Sequence, residues 1–328
     1  MSTTATAPVQ EKTTERTPRT ERVAGVVLAL LSGLAMATQG RINGQLGTEL
    51  RDSMLAAVIS FGGGLVLLLL ALPVAPKTRA GLRRLADAVR AGRLRPWHCL
   101  GGLGGATFVA GQSVTVSVLG VAMFTVGVVA GQTVSSLFVD RAGLGPAGPQ
   151  ALTWPRVLGA VLTLGAVAGS LSGGLGQGGG SLWLLVLPLA GGAAVAVQQA
   201  INGRVNAASG SAMTATLVNF AVGTTALVAG WLVSLIVRGG PVGFPGNPVL
   251  YLGGVVGIVF IALASFVVRW TGVLLLGLSA IAGQLVGSVL LDLFLPTHGG
   301  HPGAATLIGT GVALVAVVLA GAGGRRRA

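Results

Sequence analysis

Long apolar runs separated by short polar intervals make up nearly the whole chain. A helix needs roughly 20 apolar residues to cross about 30 Å of hydrocarbon. By that measure the runs at 23–46, 53–75, 97–118, 121–139, 154–173, 182–206, 212–237, 249–268, 272–294 and 304–323 predict ten spanning helices. The expected fold class is therefore all-α, a polytopic membrane protein. The exceptions lie at the ends and between runs. Residues 1–22 carry Thr, Arg and Glu with few apolar side chains, too little buried surface to offset the entropy of ordering, and are expected to be a disordered cytoplasmic tail.

The pattern repeats. Gln39-Gly-Arg-Ile-Asn-Gly44 and Gln198-Gln-Ala-Ile-Asn-Gly203 each close a long apolar run. After each copy the same signs follow: Met54 and Met213, Ser60-Phe61 and Asn219-Phe220, Gly64 and Gly223. After a small shift Gly101, Gly105 and Phe108 meet Gly253, Gly257 and Phe260, and Ala130-Gly131-Gln132, Ser136 and Asp140 meet Ala282-Gly283-Gln284, Ser288 and Asp292. This is a duplicated unit. It divides the chain into a first five-helix repeat at 23–173, a Gly/Ser-rich external linker at 174–181, a second five-helix repeat at 182–323 and a basic cytoplasmic C-terminus at 324–328. An odd number of spans per unit requires the second to be inserted upside down relative to the first, the inverted-repeat plan of many secondary transporters.

Composition agrees with the pattern: 52% of residues are hydrophobic and 9% charged. A net charge of +13 invites a nucleic-acid partner, but the basic residues sit in the polar intervals, where they record orientation instead. With both termini cytoplasmic, eighteen of the 21 Lys and Arg fall inside, and only Arg41, Arg51 and Arg238 fall outside. The interval from Lys77 to Arg95 spaces Leu82, Leu85, Ala86 and Val89 as a helix would, which fits either an interfacial helix on anionic lipid or a solvated loop. The one cysteine, Cys99, excludes an intramolecular disulfide and reads as a small buried residue.

Candidate chemistry is sparse. There is no phosphate-binding loop and no metal-spaced His/Cys cluster, with His98, His298 and His301 at interfacial or loop positions. The reading is a non-enzyme without cofactor or metal. Asp140 and Asp292 lie at spanning depth or its edge, where an acid either caps or snorkels, or couples transport to a proton or cation. Amides are more telling, since a Gln or Asn in hydrocarbon needs partners for up to four hydrogen bonds. Gln39 and Asn43, like Gln198 and Asn202, are four apart and share a helical face. With Asn219 they are expected to line or gate a path. Gln132 and Gln284 fall near mid-depth and are expected to hold a solute, though interhelical hydrogen bonding explains any of these amides equally well. Glycines four apart (Gly101 and Gly105, Gly253 and Gly257, Gly127 and Gly131, Gly283 and Gly287) predict close helix packing.

The two Gln-x-x-Ile-Asn-Gly motifs, the Ser-Phe or Asn-Phe of the second span and the Ala-Gly-Gln of the fourth resemble the drug/metabolite transporter superfamily. Within it they are most similar to a tandem fusion of two YdcZ-like five-helix inner-membrane units. The resemblance covers about residues 23–323. It implies an EamA-like secondary transporter in the bacterial plasma membrane, moving a small organic solute, a metabolite or drug-like compound, by alternating access. Its partners would be that solute and membrane lipids, with a homodimer left open and no nucleic acid. Small multidrug exporters of the superfamily carry a glutamate in the first span, where this chain has only amides, so coupling through that glutamate is not expected. A non-transporting structural or assembly subunit and a lipid flippase are the competing readings.

Overall fold

The computed structural model describes residues 19–146, 148–149, 154, 157–158, 161–162, 164–165, 183–238, 240–241, 243–295, 303–304, 307–312 and 314–315. For residues 19, 22, 237–238, 261–262 and 264–277 it describes the backbone only. The expected N-terminal tail up to residue 18, the linker at 174–181, the basic C-terminus, His298 and His301 lie outside the described residues, as does much of the fifth and tenth apolar runs. Within them the chain is helical and contains no strand.

The principal helices are α1 (Arg19–Leu50), α2 (Ser53–Ala71), α3 (Pro76–Arg90), α4 (Gly102–Arg141), α5 (Val186–Ser209), α6 (Ala212–Arg238) and α7 (Gly253–Phe294). Among the described residues five helical stretches are long and apolar enough to cross a membrane: Val23–Leu50, Ser53–Val74, Pro96–Arg141, Trp183–Ser209 and Ala212–Ile236. A shorter apolar helix spans Leu278–Phe294.

At 40 residues α4 would be about 60 Å long as one rod, about twice the hydrocarbon thickness. It is not one rod. Gly120 interrupts it with φ 78° and ψ 162°, a backbone conformation that side chains disfavour and glycine adopts freely. The contacts with α5 show which way each part runs. Before Gly120, Gly101 meets Asn202, Gly104 meets Ala194 and Gly111 lies nearest Leu187, an antiparallel series. After it, Gly127 meets Pro188, Val128 meets Gly192 and Ser135 donates to the Ala193 carbonyl at 3.1 Å, a parallel one. The chain therefore turns back at Gly120. α7 repeats this against α1: Gly253 meets Asn43 and Gly257 meets Gln39 antiparallel, then Gly283 meets Leu30 and Gly287 meets Leu34 parallel.

The reason these helices come so close is the absence of side chains. A Cβ on Gly131 would collide with the Leu189 carbonyl, and one on Gly283 with the Leu30 carbonyl, the same contact in each half. The expected close packing is thus realised, helix backbone against helix backbone. The main apolar core gathers Phe61, Phe108, Val116, Val121, Phe124, Leu217 and Phe220 from α2, α4 and α6. α3 is a helix whose Thr78, Gly81, Leu85 and Ala88 are buried. It docks on the α5–α6 turn, where Thr214 Oγ1 donates to the Thr78 carbonyl at 3.1 Å and Arg84 Nε to the Ser209 carbonyl at 2.6 Å. Cys99 packs half-buried beside that contact.

Candidate functional site

Two polar clusters, one from each repeat motif, flank an aromatic pair. In the first, Gln39 Nε2 donates to the Gly253 carbonyl at 3.1 Å and Asn43 Nδ2 donates to Gln112 Oε1 at 2.9 Å. The four-residue spacing puts both amides on the face of α1 that meets α4 and α7. Glycine makes room for them: a Cβ on Gly253 would overlap Asn43 Oδ1 and lie 2.8 Å from Ser60 Oγ, and one on Gly257 would lie 2.8 Å from Gln39 Nε2. Asn43 is 0% exposed and Gln112 1%, so each amide group here has left water. Yet Asn43 Oδ1 and Ser60 Oγ have no hydrogen-bond partner among the described residues. A buried polar atom in that state costs about 1–3 kcal/mol.

The second cluster uses the equivalent residues. Asn202 Nδ2 donates to Asn219 Oδ1 at 3.0 Å, and a Cβ on Gly101 would overlap Asn202 Oδ1. Gly105 faces Gln198, whose Oε1 would stand 3.2 Å from a Cβ there and has no partner among the described residues. Thr224 Oγ1 is also buried, with no partner among the described residues. Between the clusters Phe61 of α2 stacks on Phe220 of α6, with ring centroids 4.9 Å apart and planes at 26°. Each ring fills the space above the other's helix: a Cβ on Gly64 would collide with Phe220, and a Cβ on Gly223 with Phe61.

The two acids behave differently from the amides. Asp292, 3% exposed near the end of α7, accepts the backbone N–H of Val121 through Oδ1 at 3.0 Å and of Ala122 through Oδ2 at 2.6 Å. It thus caps the helix that restarts after Gly120, where the unpaired N–H groups and the positive end of the helix dipole favour a carboxylate. Arg41 of α1 adds a positive charge acting on the same group. Asp140, its repeat equivalent, is half-buried.

The central glutamines stand apart from the clusters. Gln132 is half-buried, and its Nε2 donates to Gln199 Oε1 at a long 3.4 Å. Gln284 is 2% exposed and its backbone faces Gly33 of α1. They border an apolar contact between α4 and α7 made by Val126, Val129, Ala130 and Leu285. No hydrogen bond joins the two among the described residues. Sequence reasoning passed over Gln112, and it read Phe61 and Phe220 only as repeat markers, not as a stacked pair. Gln112 has no amide counterpart in the second half, where Ala264 occupies its place, so a search by repeat equivalence misses it. Its signal was simply a glutamine inside an apolar run.

The family model described as "Putative inner membrane exporter, YdcZ" matches residues 24–169 and matches again over 183–319. The chain belongs to this family. It is a tandem fusion of two such units, and the family is one of inner membrane exporters of the drug/metabolite transporter type rather than of enzymes. A solved structure described as "Crystal structure of protein" is similar over 95% of this chain and 100% of its own, at 20% identity and a TM-score of 0.51, a likeness of fold alone. No curated protein matches the chain.

Proposed function

We propose that this exporter-family protein carries a small organic solute across the plasma membrane by alternating access, on ten spans arranged as two inverted five-helix units with both termini cytoplasmic. The observation that carries the reading is the reciprocity of the contacts. α1 packs on α7 through the pairs with which α5 packs on α4, down to Gly283–Leu30 and Gly131–Leu189. Such interlocked halves can exchange roles when one rocks against the other, opening first one polar cluster and then its equivalent. Phe61 and Phe220 then form the barrier between them. The turn at Gly120 supports counting α4 as two spans, in keeping with the inverted plan.

The unpartnered oxygens suggest what the solute offers. Asn43 Oδ1 and Gln198 Oε1 are acceptors in want of a donor, so the solute presents N–H or O–H groups, as amino acids, sugars and nucleosides do. In this reading Gln39, Asn43 and Gln112 on one side and Gln198, Asn202 and Asn219 on the other meet the solute in turn. Gln132 and Gln284 are the competing position.

A thermal-shift screen of the purified protein against amino acids, nucleosides, sugars and quaternary amines identifies the class, since a binder of the folded state raises its melting temperature. Quaternary amines, which have no N–H to donate, should give no shift. With the ligand in hand, Asn43→Leu and Gln198→Leu should each weaken binding about tenfold, the equivalent of one or two hydrogen bonds. Should those variants bind like the wild type while Gln132→Leu and Gln284→Leu do not, the site lies at the central glutamines. If no class binds, the structural-subunit reading replaces transport.

A further inference from the structure

A cleft of about 490 Å³, sharing no lining residue with the two polar clusters, lies where α3 meets the C-terminal end of α5. Its lining includes Arg84, Arg93 and Arg204, with Asp87 as the one acid and Ala207 and Ala208 among the small side chains. Two of the three guanidinium groups are held in place by backbone carbonyls. Arg84 Nε donates to Ser209 at 2.6 Å, while Arg204 donates through Nε to Leu144 and through Nη2 to Gly143, each at 2.6 Å. Carbonyls orient an arginine without neutralising it, so the remaining N–H donors keep their full charge. Asp87 offsets only part of this: it is one acid against three arginines in the lining, and its Oδ1 also lies 3.9 Å from Arg90. The result is a concave, net positive site with preset donors at the end of a membrane-spanning helix, where lipid headgroups lie.

We propose that this cleft binds an anionic phosphate group, one whose charge no attached cation offsets. Arginine forks match phosphate oxygens in geometry and charge, and basic pockets between helices at the membrane boundary suit the headgroup phosphates of anionic lipids. The phosphate comes either from phosphatidylglycerol in the bilayer or from soluble inorganic phosphate. An occupant would brace α3 against the α5–α6 turn and so tie the first repeat's second-to-third-span connection to the second repeat.

The test uses the full chain in nanodiscs of phosphatidylcholine alone, of phosphatidylcholine with phosphatidylglycerol, and of phosphatidylcholine with inorganic phosphate added. Phosphatidylcholine's own phosphate is offset by its choline, so the wild type should melt at a higher temperature in one of the two conditions that add an anionic phosphate, and which one identifies the source. Arg84 and Arg204 also hold the backbone, so the informative variants are Arg93→Glu and Ala207→Glu, which reverse or add charge in the cleft without removing those bonds. Each should raise the concentration of phosphatidylglycerol or phosphate needed for half the shift by at least about tenfold. Ala86→Glu places the same charge on the exposed face of α3 outside the cleft and should behave like the wild type. No stabilisation of the wild type in either condition overturns the proposal. So does an equal loss in Ala86→Glu, which would mean a general surface-charge effect.

Discussion

At the scale of single residues, most of the unusual choices are glycines set against a specific partner. Gly64 and Gly223 are the sharpest case, because each yields its side-chain volume to a phenylalanine of the other repeat. Gly64→Ala must displace Phe220, and overpacking of this kind costs about 1–3 kcal/mol. The same change in a Phe220→Leu background meets a smaller, more pliant side chain and should cost clearly less. Melting temperatures of the two single variants and the double variant test this: simple additivity would mean that the methyl group does not meet the ring. Gly63, with open space around it, and Gly62, where an added Cβ would meet Thr224 only at an ordinary 3.8 Å, should accept alanine with little change. Sequence alone did not separate these glycines from Gly64, since which glycine has a neighbour is decided by chain segments more than 150 residues away.

Among the elements, the break at Gly120 and its cap from Asp292 form one device. Glycine permits the turn, and the carboxylate satisfies the N–H groups of Val121 and Ala122 that the restarted helix leaves open. Asp292→Asn keeps the shape but loses the charge and one acceptor oxygen, so stability should fall by about 1–3 kcal/mol, read as a lower melting temperature in detergent. Solute binding should follow stability. A variant that melts like the wild type but has lost proton or cation dependence of transport would instead make Asp292 the coupling group. The boundaries of α1, α2, α5 and α6 were legible to within a few residues, because apolar runs of membrane-spanning length dictate them, whereas α4 and α7 each join two of the predicted runs. An interfacial helix and a solvated loop were both open for Lys77 to Arg95, and the structure has a helix at Pro76–Arg90 whose Thr78, Gly81 and Leu85 dock on α6 and α5.

For the whole molecule, the proposed orientation rests on the distribution of Lys and Arg. In a Cys99→Ser background, Ala86→Cys on α3 should resist a membrane-impermeant thiol reagent in whole cells, and Gln177→Cys in the linker should react. The reverse labelling would invert the assignment. What the sequence by itself determined is the all-α membrane class, the duplication and the family, because hydrophobic length and repeated motifs are local signals that need no partner to be read. Gln39 with Asn43 and Gln198 with Asn202 were recognisable for the same reason: an amide in an apolar run stands out wherever it points. Only the tertiary structure decided what those amides touch. Asn43 pairs with Gln112 from 69 positions away, Asp292 caps a helix 170 or more positions upstream, and Phe61 finds Phe220 across the two repeats. Such partners are chosen by how the interlocked helices pack, and packing depends on the shapes of both surfaces at once, which no single stretch of chain contains.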